Sequence, residues 1–155
     1  MTYYTTMTSP IGKLLLASDG RALTGLHMAP FEPLSGWQRD EGPFTDVVAQ
    51  LTAYFTGARK EFDVVHEAVG TPFQQRVWRA LLDIPYGETT SYGEVARRIG
   101  TPRAVRAVGR ANGANPIAVI VPCHRVIGAN GTLTGYGGGL ERKAKLLALE
   151  GVRLP

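Results

Sequence analysis

A single cysteine, Cys123, stands in the segment PIAVIVPCHRVI, residues 116–127, directly before His124 and Arg125. A thiol attacks as its thiolate, and an imidazole in reach can take the proton, so the pair is a candidate nucleophile and base. The other reading of a lone cysteine is an inert core residue, the commoner fate of buried single thiols. On a continuing strand, neighbouring side chains point to opposite faces and the two groups could not meet. Either Pro122 bends the chain or a water links them. Glu150 offers a third group. It is the last residue before Gly151 in LERKAKLLALEG, and a carboxylate at a helix C-terminus opposes the macrodipole by up to ~1 kcal/mol. Such a break of a local rule can mark a functional site. Glu150 would then orient His124 through the nitrogen turned away from the thiol, giving a Cys-His-Glu relay. The alternative is a frayed, solvated glutamate. A metal site is not expected, because His27 and His66 are distant in sequence and no second cysteine exists.

A second constellation is cationic. On a helical wheel of about 100° per residue, Val105 and Val108 point to the core, while Arg103, Arg106 and Arg110 share the opposite sector. Beside them stand Ala104, Ala107, Gly109 and Ala111. An arginine face with very small neighbours can approach a phosphate backbone closely and suits a shallow or narrow groove. Gly109 lowers helix propensity by about 1 kcal/mol relative to alanine, so close approach is a reason to keep it. The plain alternative is an amphipathic helix with a solvated arginine face.

Both constellations need a scaffold. YYTTMTSPIG, KLLLAS and ALTGLHM read as short strands separated by turns. Phe44, Val47, Val48, Leu51, Tyr54 and Phe55 fall on one helical face that stops at Gly57. The Pro- and Gly-rich stretch between them reads as a loop. TPFQ at Thr71 is a capping box with proline at the first helical position, opening a helix through Phe73, Val77 and Leu81 that ends in IPYGE. Ser91 and Glu94 form another box. Gly100-Thr101-Pro102 ends that short helix, and Thr101 is expected to cap the next, which is the spacing of a helix-turn-helix. Ile117 to Val121 is expected to be a buried strand that ends at Pro122. TGYGGG, residues 134–139, lacks the Lys-Ser/Thr of a phosphate-binding loop and reads as a pocket wall near Tyr136.

Of the residues, 44% are hydrophobic and 19% charged, which suits a chain with a real core. A lone cysteine gives no internal disulfide. The start MTYYTTMTSPIG has no signal-peptide pattern, and no apolar run nears the ~18 residues of a membrane span. A reducing, cytoplasmic setting with no membrane contact is expected. The net charge of +4 is unevenly placed. Residues 1–70 hold five Lys/Arg against eight Asp/Glu, and residues 71–155 hold twelve against five. A basic second half points either to an anionic partner, nucleic acid being the commonest, or to a solvated basic surface.

PCHRVIG, with RAVGRANGANP upstream and GYGGG and LLALEG downstream, resembles the O6-alkylguanine-DNA alkyltransferases, also called methylated-DNA–protein-cysteine methyltransferases. The likeness runs from about Thr71 to Gly151. It implies an α/β (α+β) chain: a ribonuclease-H-like domain over 1–70, then a winged helix-turn-helix domain over 71–155 that carries the active cysteine. It implies irreversible transfer of an alkyl group from O6-alkylguanine in duplex DNA to Cys123, once per chain and without cofactor, after flipping of the damaged nucleotide through the minor groove. By resemblance, His124 and Glu150 help ionise Cys123, and Asn115 supports that network. Tyr92 meets the leaving guanine, and Arg106 enters the stack where the base has left. Arg103, Arg110, Ala107, Gly109 and Ala111 belong to the DNA-binding helix. Tyr136, Gly137 and Gly138 line the base pocket. Arg110 departs from the small or apolar residue of many relatives. A monomer in solution is expected, with cooperativity on DNA and action on O4-alkylthymine left open. Two rivals are a cysteine hydrolase that turns over, and a helix-turn-helix regulator with an inert cysteine.

Overall fold

The computed structural model describes residues 1–136 and 138–154, which divide into two compact units. The first comprises Met1–Ala68 with Pro116–Ala118, and the second Val69–Asn115 with Val119–Pro155. The three residues 116–118 thus group with the first unit.

The first unit is built on a sheet of order β3-β2-β1-β4. Strands β1 (Tyr3–Ser9), β2 (Gly12–Ser18) and β3 (Leu23–Met28) pair antiparallel. The turns at Ser9–Gly12 and Asp19–Ala22 are those expected from Pro-Ile-Gly and Asp-Gly-Arg. β2 is central and buried from Leu14 to Ser18. A two-residue strand β4 (Gln38–Arg39) pairs parallel with β1 inside the stretch expected to be loop; two exposed polar residues carry no periodicity to reveal it. Helix α1 (Thr45–Phe55) buries Val47, Leu51 and Tyr54 and packs on β1.

The second unit is helical. α2 (Pro72–Leu81) opens with the reciprocal capping box, Thr71 Oγ1 accepting from Gln74 N and Gln74 Oε1 accepting from Thr71 N. α3 (Tyr92–Arg98) is capped by Ser91, whereas the Glu94 carboxylate turns outward to Arg97 and Arg98. At its end Gly100 has φ +81°. Gly100 N donates to Arg97 O and Thr101 N to Ala96 O, a paired C-terminal motif that needs a left-handed residue. α4 (Val105–Gly113) begins two residues later than the wheel assumes. Thr101 does not cap it. Ala104 N donates to Thr101 O in a turn, so Arg103 precedes the helix and Val105 is 39% exposed rather than in the core. The inner face is Val108, Ala111 and Asn112.

The segment 117–121 is buried as expected but is not a strand. Ile117 makes one bridge to Leu26, the chain then turns, and Val119 adopts φ +71°. Pro116 and Pro122 lack the N–H groups that a ladder would use. A β-branched residue in that region costs of order 1–3 kcal/mol. β5 (Thr90–Ser91) and β6 (Val126–Ile127) form a small parallel pair. α5 (Leu140–Leu149) ends on Glu150. Gly151, at φ +81°, completes the same terminal motif as Gly100, with Gly151 N on Ala148 O and Val152 N on Leu147 O.

Candidate active site and nucleic-acid interface

Cys123 sits at the start of a single 3-10 turn, Cys123–Arg125. Pro122, at φ −82° and ψ 63°, is the centre of an inverse γ-turn closed by Cys123 N donating to Val121 O at 2.8 Å. The chain therefore bends at Pro122, yet the bend does not bring the thiol within hydrogen-bond reach of His124 Nδ1. Cys123, His124 and Arg125 are all buried.

Glu150 is not frayed. Its side chain is fully buried and three groups converge on it. His124 Nε2 donates to Oε2 at 2.8 Å. Arg125 donates from Nε to Oε1 at 2.8 Å and from Nη2 to Oε2 at 3.0 Å. Arg125 Nη1 also donates to Ile84 O at 2.7 Å, and the guanidinium lies 5.8 Å from the Tyr86 ring centroid. A carboxylate accepting from Nε2 fixes the proton there and leaves Nδ1 as the basic nitrogen. Among the described residues His124 Nδ1 meets no partner. Burial holds the His124 pKa below its usual value, with Glu150 opposing, which favours the neutral ring.

Burial pushes the Cys123 thiol up. Hydrogen bonding from Asn115, the charge of Lys143 and hydrogen bonding from Tyr136 work against that. Asn115 also anchors the turn, its Nδ2 donating to Val121 O at 2.8 Å. Tyr136 is thus beside the sulfur. Tyr92 opens α3, its hydroxyl within 3.3 Å of the carbonyls of Thr134 and Gly135, on the loop that leads to Tyr136. Gly138 is half-buried, and Gly137 lies outside the described residues.

Lys143 is the residue that sequence reasoning passed over. It is fully buried. Nζ donates to Val126 O at 2.6 Å and Thr134 O at 2.7 Å, and lies 5.9 Å from the Tyr92 ring centroid. Desolvation lowers its pKa to about 8, while Cys123 acts to raise it. The signal was present: Lys143, Leu146, Leu147 and Glu150 share one helical face. The role of Arg125 had no such signal, because only the 3-10 turn aims it at Glu150.

On α4, Arg106 and Arg110 are exposed, as is Arg103 just before it. Ala107 and Gly109 are half-buried. Ala111 is 3% exposed, and its carbonyl accepts from Trp78 Nε1 at 2.8 Å; it belongs to the inner face and not to the outer one expected. A methyl added at Gly109 would meet only Tyr92 Cδ1, at an ordinary 3.9 Å. Packing within the protein therefore does not require glycine there.

One unit built on a four-stranded sheet and another that carries a helix-turn-helix and a buried thiol define a class, and comparison with known proteins agrees. Residues 2–66 match the model of the 6-O-methylguanine DNA methyltransferase ribonuclease-like domain, and residues 72–152 that of the same family's DNA binding domain. The chain belongs to the 6-O-methylguanine DNA methyltransferase family. It is 60% identical over 158 residues to the methylated-DNA–protein-cysteine methyltransferase of Mycobacterium tuberculosis, covering 100% of this chain and 96% of that one. It is 53% identical over 153 residues to the protein of that name from Methanosarcina acetivorans, covering 96% and 98%. Among solved structures, the Mycobacterium tuberculosis OGT in complex with DNA matches with TM-score 0.92 at 61% identity, covering 96% of this chain and 92% of that one.

Removing the Glu150 side chain leaves Arg125 buried and unpaired. Glu150→Ala should lower unfolding free energy by about 3–5 kcal/mol, measured by urea denaturation, and Glu150→Gln by less. Wild-type stability in both variants would contradict the clamp.

Proposed function

We propose that this protein repairs DNA by direct reversal, taking the alkyl group from O6-alkylguanine onto Cys123. The observation that carries this reading is a buried thiol, on a turn fixed by hydrogen bonds, in the same unit as an arginine-faced helix. O6 of guanine lies inside the duplex, so chemistry there requires the base to leave the stack. The thiolate attacks the alkyl carbon, the C–S bond forms, the C–O6 bond breaks, and the electron pair stays with guanine. His124 Nδ1, which the thiol does not reach directly, takes its proton through an intervening water while Glu150 holds the ring. The Lys143 ammonium and the Asn115 and Tyr136 hydrogen bonds favour the thiolate against its burial. Tyr92 donates toward the departing guanine. Tyr136 and Gly138 wall the base pocket.

DNA is the partner, bound by residues 71–155 through its minor groove, and the ribonuclease-like domain spans 1–70. Arg106 fills the place of the flipped base. Arg103 and Arg110 meet phosphates, and Ala107 and Gly109 allow the close approach. The protein acts as a monomer without cofactor, in the cytoplasm. Among the described residues no helix is long and apolar enough to cross a membrane. A thioether has no ready route back to the thiol, so each chain acts once. The hydrolase rival shares Cys123, His124 and Glu150 but gives the arginine face no task.

Two outcomes test this. With excess duplex carrying one O6-methylguanine, methyl loss from DNA should plateau at one per chain; continued turnover, or no loss, overturns the reading. Arg106→Ala should slow transfer from duplex by about 10-fold or more while leaving transfer from the free modified base little changed, since its task is flipping, which costs a few kcal/mol. Equal slowing on both substrates would remove that role.

A further inference from the structure

Asn112 occupies the inner face of α4 and is 2% exposed. Asparagine is a poor helix former and an unusual choice for a core helix position. Its Nδ2 donates to the carbonyl of Cys123 at 3.3 Å. That acceptor fixes which end of the amide faces the turn. Oδ1 is then left buried with no partner among the described residues. An apolar residue of the same size would avoid that cost, so the amide is kept for what its other end does.

A second amide leaves the same end of the helix. Asn115 Nδ2 holds Val121 O at 2.8 Å, and Val121 O also accepts from Cys123 N. The two asparagines therefore grip the main chain on both sides of the thiol residue. The anchor runs on into α2, where Trp78 Nε1 holds Ala111 O. The outer face of α4 carries Arg106 and Arg110. One short helix thus bears the arginines outward and holds the Cys123 backbone inward.

We propose that Asn112 is a positioning residue for the transfer: it fixes the main chain of Cys123 to α4, so that seating this helix on DNA sets the sulfur against the alkyl carbon. Displacement needs the reacting atoms roughly 3–3.5 Å apart and aligned, a tolerance that an unpinned γ-turn does not keep. The proposal rests on the repair reading and adds a residue to it.

The test uses the full chain with Asn112→Leu, which keeps the volume and removes both the donor and the orphan acceptor, and with Asn112→Ala. Single-turnover transfer is followed at increasing concentrations of methylated duplex, and separately with the free modified base. The Leu variant should be at least as stable as wild type. Its maximal rate should fall about fivefold on both substrates, the size of one ordinary hydrogen bond, while the DNA concentration giving half-maximal rate stays unchanged. Asn112→Ala should show the same split with lower stability. A Leu variant with wild-type maximal rate overturns the proposal, and so does a loss confined to DNA affinity. Failure of wild type to transfer from duplex would sink the repair reading instead. In that case iodoacetamide labelling of Cys123 still reads the positioning effect, with slower labelling in Asn112→Leu supporting it and equal labelling refuting it.

Discussion

The buried carboxylate of Glu150 is the constraint on which the second unit's chemistry depends. It sits at the C-terminal end of α5, where the helix dipole opposes negative charge, and it is out of contact with water. Such a group persists only when paired and hydrogen-bonded. Arg125 grips both oxygens and His124 takes one. The pairing ties the last turn of α5 to the 3-10 turn that begins with Cys123. It also orients the imidazole and sets its tautomer, so the electrostatic requirement of one carboxylate decides where the base stands.

The sulfur faces the opposite problem. Burial holds the thiol protonated, yet transfer needs the thiolate. The surroundings answer with groups that interact favourably with negative charge: Lys143, Asn115 and Tyr136. Lys143 is itself destabilised as a cation by the same burial. A cation and an anion that are each costly alone favour one another in a site of low dielectric.

Much of this was legible in the sequence, and the failures share a cause. The capping box at Thr71 and the stop at Gly151 follow from local patterns of a few residues, and the structure has them. The Glu150–His124 contact joins residues 26 apart; only the carboxylate at a helix C-terminus hinted at it, with a frayed glutamate as the other reading. The strand expected at 117–121 fails because an apolar run reports burial and not conformation. The prolines on either side remove the N–H groups that a strand would need. Val105 is exposed because the helix begins only there, after a turn whose hydrogen bonds are all backbone and leave no side-chain signature. Ala111 lies about 60° from Val108 on the wheel, so it shares the inner face, and small size alone does not mark an outer position. Arg125, Lys143 and Asn112 depend on contacts between segments far apart in the chain, so no window of sequence contains them. Of these, only Lys143 leaves a trace, as a charged residue on the apolar face of α5.

The central claim is that the Cys123 sulfur, enclosed as it is, receives the alkyl group. Peptide mapping after reaction with duplex bearing O6-methylguanine tests it most directly. Trypsin cuts after Arg110 and Arg125 with no site between them, so Cys123 falls in the peptide Ala111–Arg125. The account predicts one added methyl on that peptide, fragmenting to Cys123, and no methyl anywhere in Cys123→Ser. A methyl on another residue, or an unmodified peptide from a folded protein that has bound the damaged duplex, would contradict it.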